Sequence, residues 1–103
     1  MFQSKEDPGI KQRVFSVYDK KGQVYISPVY FVQKGEALRW FEELCNDAKT
    51  TLFKFPADFS LYCLGQFNLT TGEVIGLPKP EFICEALDFR PVSRPQLVGS
   101  EKE

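Results

Sequence analysis

Few side chains in this sequence are arranged for covalent chemistry. Histidine is absent, which removes the commonest proton carrier for a serine or cysteine nucleophile. Ser16, Ser27 and Ser60 sit in strand-like stretches and read as ordinary strand residues. Glu42 and Glu43 are adjacent on a helical pattern, so they diverge by about 100° around the axis and read as solvated charges. Cys45, Cys63 and Cys84 are far apart in the chain and lie among apolar or helical residues. Without a close pair or a histidine they lack metal-ligand spacing and read as buried free thiols of a reducing compartment. The sequence has no GKS or GKT phosphate cradle and no dinucleotide glycine pattern. The expectation is a protein that is not an enzyme and takes no cofactor or metal.

The arrangement with more promise is basic and aromatic. Lys11, Arg13, Lys20 and Lys21 bracket Tyr18 and Tyr25, a mixture suited to single-stranded nucleic acid. Ammonium and guanidinium groups meet phosphates while rings stack on bases, each stack worth about 1–3 kcal/mol. These six residues form the candidate nucleic-acid site. Charge supports it weakly, because 13 Lys and Arg stand against 14 Asp and Glu, and non-specific DNA affinity comes mainly from clustered cations. Lysines in an exposed turn also serve simply to keep a protein in solution. Self-association is the competing class. Tyr25, Val29 and Phe31 alternate on one face of a strand whose other face is also apolar, with Pro28 between them, and closed two-fold dimers are the commonest oligomers. Ten Phe, four Tyr and one Trp either fill a gap between sheet and helix or line such an interface.

These residues need a scaffold, and its elements are readable. "RVFSVYDKKGQVYISPVYFV" has the composition of a hairpin, with Asp19 accepting from turn amides and Gly22 supplying a positive φ. Pro28 cannot donate to a ladder and points to an edge or a bulge. "GEALRWFEELCNDA" is a helix whose Ala37, Leu38, Phe41, Leu44, Cys45 and Ala48 form one apolar stripe. After the connector "KFPADF", the stretch "SLYCLGQFNLTTGEV" reads as two strands joined at Asn68 to Gly72, with Phe59, Leu61, Cys63 and Phe67 on one face. "GLPKP" cuts the return strand short, and "EFICEALDF" is either a last strand or a short helix. The fold expected is α+β: an antiparallel sheet of four or five strands with one helix on one face, in the order strand-strand-helix-strand-strand-strand. A chain of 103 residues suits one domain, placed at 13–90 between a flexible leader, 1–12, and a flexible tail, 91–103. No apolar run approaches the ~20 residues that span a bilayer, and the polar start is unlike a secretory signal, so a cytoplasmic protein without a membrane partner is expected.

In order, "FSVYDKKGQVYISPVYF", "GEALRWFEELCND" and "FPADFSLYCLGQFNLTTGEV" resemble the small nonstructural protein of microvirus-type single-stranded DNA bacteriophages, in particular the gokushovirus branch. The resemblance runs from about Val14 to Phe89 and is carried by Tyr18, Asp19, Pro28, Arg39, Phe41, Pro56, Tyr62, Leu64, Gly65, Phe67 and Gly72. It implies a nonstructural protein of the infected bacterium's cytoplasm that binds DNA, single-stranded by expectation, during genome replication or the change from replication to packaging. Partners implied are single-stranded DNA and phage replication or assembly proteins. A homo-oligomeric assembly module without direct DNA binding is the alternative.

Overall fold

β-branched and aromatic residues concentrate in the stretches that pair. In the computed structural model, which describes residues 10–89, the chain runs β1 (Lys11–Asp19), β2 (Val24–Tyr25), β3 (Val29–Phe31), α1 (Lys34–Cys45), α2 (Thr51–Lys54), β4 (Phe59–Asn68) and β5 (Val74–Glu85). Short 3-10 turns lie at Pro56–Asp58 and Ala86–Asp88. All pairings are antiparallel: β1 and β4 are central, β5 flanks β4, and β2 and β3 share the far side of β1. The α+β architecture is the one expected, but the element order differs, with three strands before α1 and two after, and a short second helix, α2, stands where a connector was expected. Pro28 splits the second strand in two. Pro78 and Pro80 are absorbed within β5, because an edge strand tolerates missing amide donors. Residues 81–85 are therefore strand, followed by a helical turn.

Register slips decide which side chains share a face: two are one-residue slips against β1, and β4 and β5 shift twice more against each other, once beside Phe82. Tyr18 faces Tyr25, yet Phe15 faces Val29, so 26–28 hold one residue more than the opposing piece of β1. In β4, Leu64 is the extra residue between Cys63, opposite Phe15, and Gly65, opposite Val14. Each slip inverts the alternation beyond it. Val29 and Phe31 consequently pack toward α1, and Phe67 leaves the face of Phe59, Leu61 and Cys63 that simple alternation assigned to it. Gly65 accommodates the second slip. A Cβ there would lie 2.9 Å from Gly76 Cα and closer still to the Ile75 carbonyl oxygen, so β5 approaches β4 where no side chain fits.

The core lies between the sheet and the helices. Phe15, Val17, Ala37, Phe41, Cys45 and Leu61 are fully buried, joined by Leu52, Phe59, Cys63, Cys84 and Ala86. α1 buries Ala37, Phe41 and Cys45 at helical spacing, while Ala48 falls beyond the helix and is exposed. Glu36 fixes the helix start by accepting from the Gln33 amide at 3.0 Å. At the other end the Asn46 side chain donates to the Glu42 carbonyl at 2.9 Å. β1 begins at Lys11, opposite Asn68, so residues 11 and 12 of the expected leader belong to the sheet. The rest of that leader up to residue 9, and everything from 90 onward including the expected tail, lie outside the described residues.

The turns differ in one respect from expectation. Asp19 Oδ1 accepts from the amides of Lys21 and Gly22, at 3.0 and 3.1 Å, but the positive φ falls on Gln23, at 58°. Gly22 serves a different need: a Cβ would stand 2.9 Å from Asp19 Oδ2, against the capping carboxylate. In the second hairpin Asn68 Oδ1 accepts from Thr70 and Thr71 amides, and Gly72 takes φ 81°, as its type allows.

Candidate nucleic-acid interface

The helices cover one face of the sheet; the other carries a row of rings. Strand pairing places Tyr25 beside Tyr18, Tyr18 beside Ser60, Ser16 beside Tyr62, and Tyr62 beside Phe82. Ring centroids follow the same path across four strands: Tyr25 to Tyr18 at 4.8 Å, Tyr18 to Tyr62 at 6.2 Å, Tyr25 to Tyr62 at 5.7 Å and Tyr62 to Phe82 at 5.8 Å. The contacts to Tyr62 are edge-to-face, a preferred aromatic geometry. A second cluster, Tyr30 against Phe67 at 5.8 Å, lies on the same face further along β1, brought there by the two slips.

Beneath the rings the polar groups are satisfied. Ser16 and Ser60 are essentially inaccessible; Ser16 Oγ donates to the Ile26 carbonyl at 2.6 Å and Ser60 Oγ to Glu85 Oε1 at 2.9 Å. Small serines under large rings let the tyrosines lie across the sheet. Desolvation, then the neighbouring Tyr62 and Tyr18, pushes the Tyr25 phenol above its ordinary 10.0, so this ring is uncharged at neutral pH. Phe82, Tyr30 and Tyr25 are 51, 45 and 39 % exposed. They offer apolar ring surface to solvent, where a planar base can stack.

The six residues singled out from the sequence are divided by this geometry. Tyr18 and Tyr25 join the row. Lys11 and Arg13 alternate with Val14 and Ser16 and project on the opposite side, where the Arg13 guanidinium lies over the Phe15 ring at 5.6 Å and 3.8 Å from Glu81. Arg13 lines a cleft of about 270 Å³ there with Cys63, Gly65, Gln66, Ile75, Leu77 and Glu81. Lys20 stays near the row, but its ammonium is 2.7 Å from Glu85 Oε1 and 3.1 Å from the Ala57 carbonyl. Lys21 is exposed in the turn. The three residues taken as an oligomer surface also part company: Val29 and Phe31 pack against the core, Phe31 with Phe15 and Trp40 rings near it, while Tyr25 is on the open face.

Tyr62, Phe82, Tyr30 and Phe67 were not among the expected site residues. A signal for Tyr62 exists in the repeated pattern Ser-x-Tyr, "SVY" at 16–18 and "SLY" at 60–62. Paired antiparallel, these place each serine opposite the other strand's tyrosine. Phe82, Tyr30 and Phe67 carry no such mark, because their facing depends on slips.

The cysteines lie in the core, away from the row of rings. All three are buried free thiols. Burial, with Glu42 nearby, pushes Cys45 up to about 11; burial, then Asp88, Cys45 and Glu85, pushes Cys84 up to about 12. Neither is a nucleophile at neutral pH. Among the described residues no group of His, Cys, Asp and Glu is placed to hold a metal ion, and no helix is long and apolar enough to cross a membrane.

Residues 12–89 match the family model described as Phage ORF5 protein, a span that runs from the second residue of β1 through all the later described strands. No curated protein and no solved structure matches the chain.

Proposed function

The chain belongs to the Phage ORF5 protein family, and from that premise we propose that it is a non-enzymatic, nonstructural protein that binds single-stranded DNA on its open sheet face. The observation that carries this reading is the row Tyr25, Tyr18, Tyr62 and Phe82. A four-strand-wide surface of rings, rigidly backed by a helix-packed core, offers stacking positions for unpaired bases, whose π faces are all suitable. A duplex keeps those faces inside its own stack and gains nothing from the row. The resemblance to the gokushovirus protein supports a role for this binding in genome replication or the change from replication to packaging, in the host cytoplasm.

Fluorescence anisotropy of a labelled oligothymidine at low salt tests the reading. Binding is expected, with a loss of roughly 5- to 150-fold when Phe82 or Tyr25 is replaced by Ala; no binding by the folded wild-type protein refutes it. Self-association without DNA is the second reading, favoured by the exposed apolar edge of β5, where Val74 is 70 % and Ile75 50 % exposed. Such an edge is a pairing surface. Light scattering decides it: a monomer across the micromolar range removes the homodimer.

A further inference from the structure

Resting on the single-strand reading above, we propose that this face takes a short run of unpaired bases by stacking alone, because Glu85 clasps the cation that would otherwise meet the phosphates. Lys20 follows β1 directly beyond the tyrosine row. Its ammonium is held by Glu85 Oε1 at 2.7 Å and by the Ala57 carbonyl at 3.1 Å, and the same carboxylate oxygen accepts from the buried Ser60 hydroxyl at 2.9 Å. Glu85 is itself fixed at the backbone, where its amide donates to Asp88 Oδ2 at 2.9 Å. Strand pairing sets Glu85 opposite Ser60, and Ser60 opposite Tyr18, so the clasp closes the end of the row. Arg13 and Lys11 project from the other face, and Lys21 is exposed in the turn beyond the paired ends of β1 and β2, so none of them takes its place beside the row.

The ligand follows from this arrangement. An open face with rings and a neutralised cation attracts bases more than phosphates, so its affinity depends little on counterion release. Its extent is also bounded. Tyr25 and Phe82 lie three strand spacings apart, roughly 14 Å, and Tyr18 and Val14, which carry the row and the Tyr30 cluster, are separated by about 13 Å along β1. One base on each exposed ring occupies that area with about three or four nucleotides. Glu85 is thus a determinant of ligand class: it selects stacked, unpaired bases and suppresses general polyanion binding.

The experiment measures oligothymidine affinity against salt and length for the wild type, Lys20→Ala, Glu85→Gln and the double variant, each first shown to be folded by circular dichroism. For single strands the slope of log K on log salt is about −0.7 per phosphate neutralised. The wild type is expected to give a slope shallower than about −0.7, and its affinity to stop rising steeply with length beyond about four nucleotides. Lys20→Ala is expected to match it. Glu85→Gln frees Lys20 and is expected to bind more tightly at low salt with a slope steeper by about 0.7, a gain that Lys20→Ala in the same chain abolishes. A steeper wild-type slope, a loss of affinity in Lys20→Ala, or an unchanged slope in Glu85→Gln overturns the clasp while leaving single-strand binding standing. Absence of wild-type binding to any strand at low salt overturns both. Should Glu85→Gln fail to fold, the wild-type slope and Lys20→Ala decide the matter.

Discussion

Replacing Gly65 by Ala puts one methyl group where β4 and β5 touch. The new Cβ would lie 2.9 Å from Gly76 Cα and 3.1 Å from the Ile75 carbonyl carbon, with the Ile75 oxygen nearer still. Ordinary carbon contacts are about 3.5–4.0 Å, so β5 has to retreat by roughly 0.6 Å or more. The obstructing atoms are backbone and cannot rotate away as a side-chain tip would. Gly65 and Gly76 are ladder partners, flanked by Gln66 opposite Ile75, so that retreat loosens the hairpin's own hydrogen bonds. Overpacking costs about 1–3 kcal/mol, and a backbone clash belongs at the upper end, about 3 kcal/mol. With a urea slope of about 1–2 kcal/mol per molar, the unfolding midpoint should fall by about 1.5–3 M. Gly76→Ala is the control: its Cβ meets nothing within 4 Å, and the change should stay within about 0.5 kcal/mol. Equal melts for wild type and Gly65→Ala would refute the close approach, and with it the account of how β4 carries its extra residue.

Other perturbations follow from the same packing. Phe41 is fully buried with Phe89 edge-to-face at 6.2 Å, so Phe41→Ala should cost about 3–5 kcal/mol in a denaturant melt; a loss under ~1 kcal/mol would contradict its place beneath the sheet. Cys45 and Cys84, raised from 9.0 to about 11 and about 12, ionise more readily in the unfolded chain than in the folded one. Their contribution is therefore full below pH 9, is lost as pH rises through 9 to about 12, and Cys84→Ala should flatten that alkaline decline in melts recorded from pH 8 to 11. The same burial predicts that a thiol reagent at pH 8 labels no cysteine of the native protein and all three after denaturation.

What the sequence reveals depends on the range of the interactions involved. The α1 stripe of Ala37, Phe41 and Cys45 is legible because helical spacing is local, and the Asn68 to Gly72 turn is legible because Asn and Gly have specific backbone chemistry. The faces of β3 and the end of β4 are not. A single extra residue near Pro28, and another at Leu64, inverts every side chain beyond it; Pro28 signals an edge or a bulge, but not the one-residue count that decides the facing. That is why Val29 and Phe31 read as an outer surface and Phe67 as an inner one. Charge pairing is equally remote: Lys20 and Glu85 are 65 residues apart, and only the β1–β4–β5 ladder brings them together. The basic cluster seen in one hairpin consequently divides between two faces, while the tyrosines of distant strands converge.

Chemical-shift mapping of the protein titrated with an oligothymidine tests the open face most directly. Perturbations confined to the rings of Tyr18, Tyr25, Tyr62 and Phe82, extending to Tyr30, are the predicted result. Shifts centred instead on Lys11, Arg13 and the cleft beside Glu81, or no shifts at all at low salt, would contradict it.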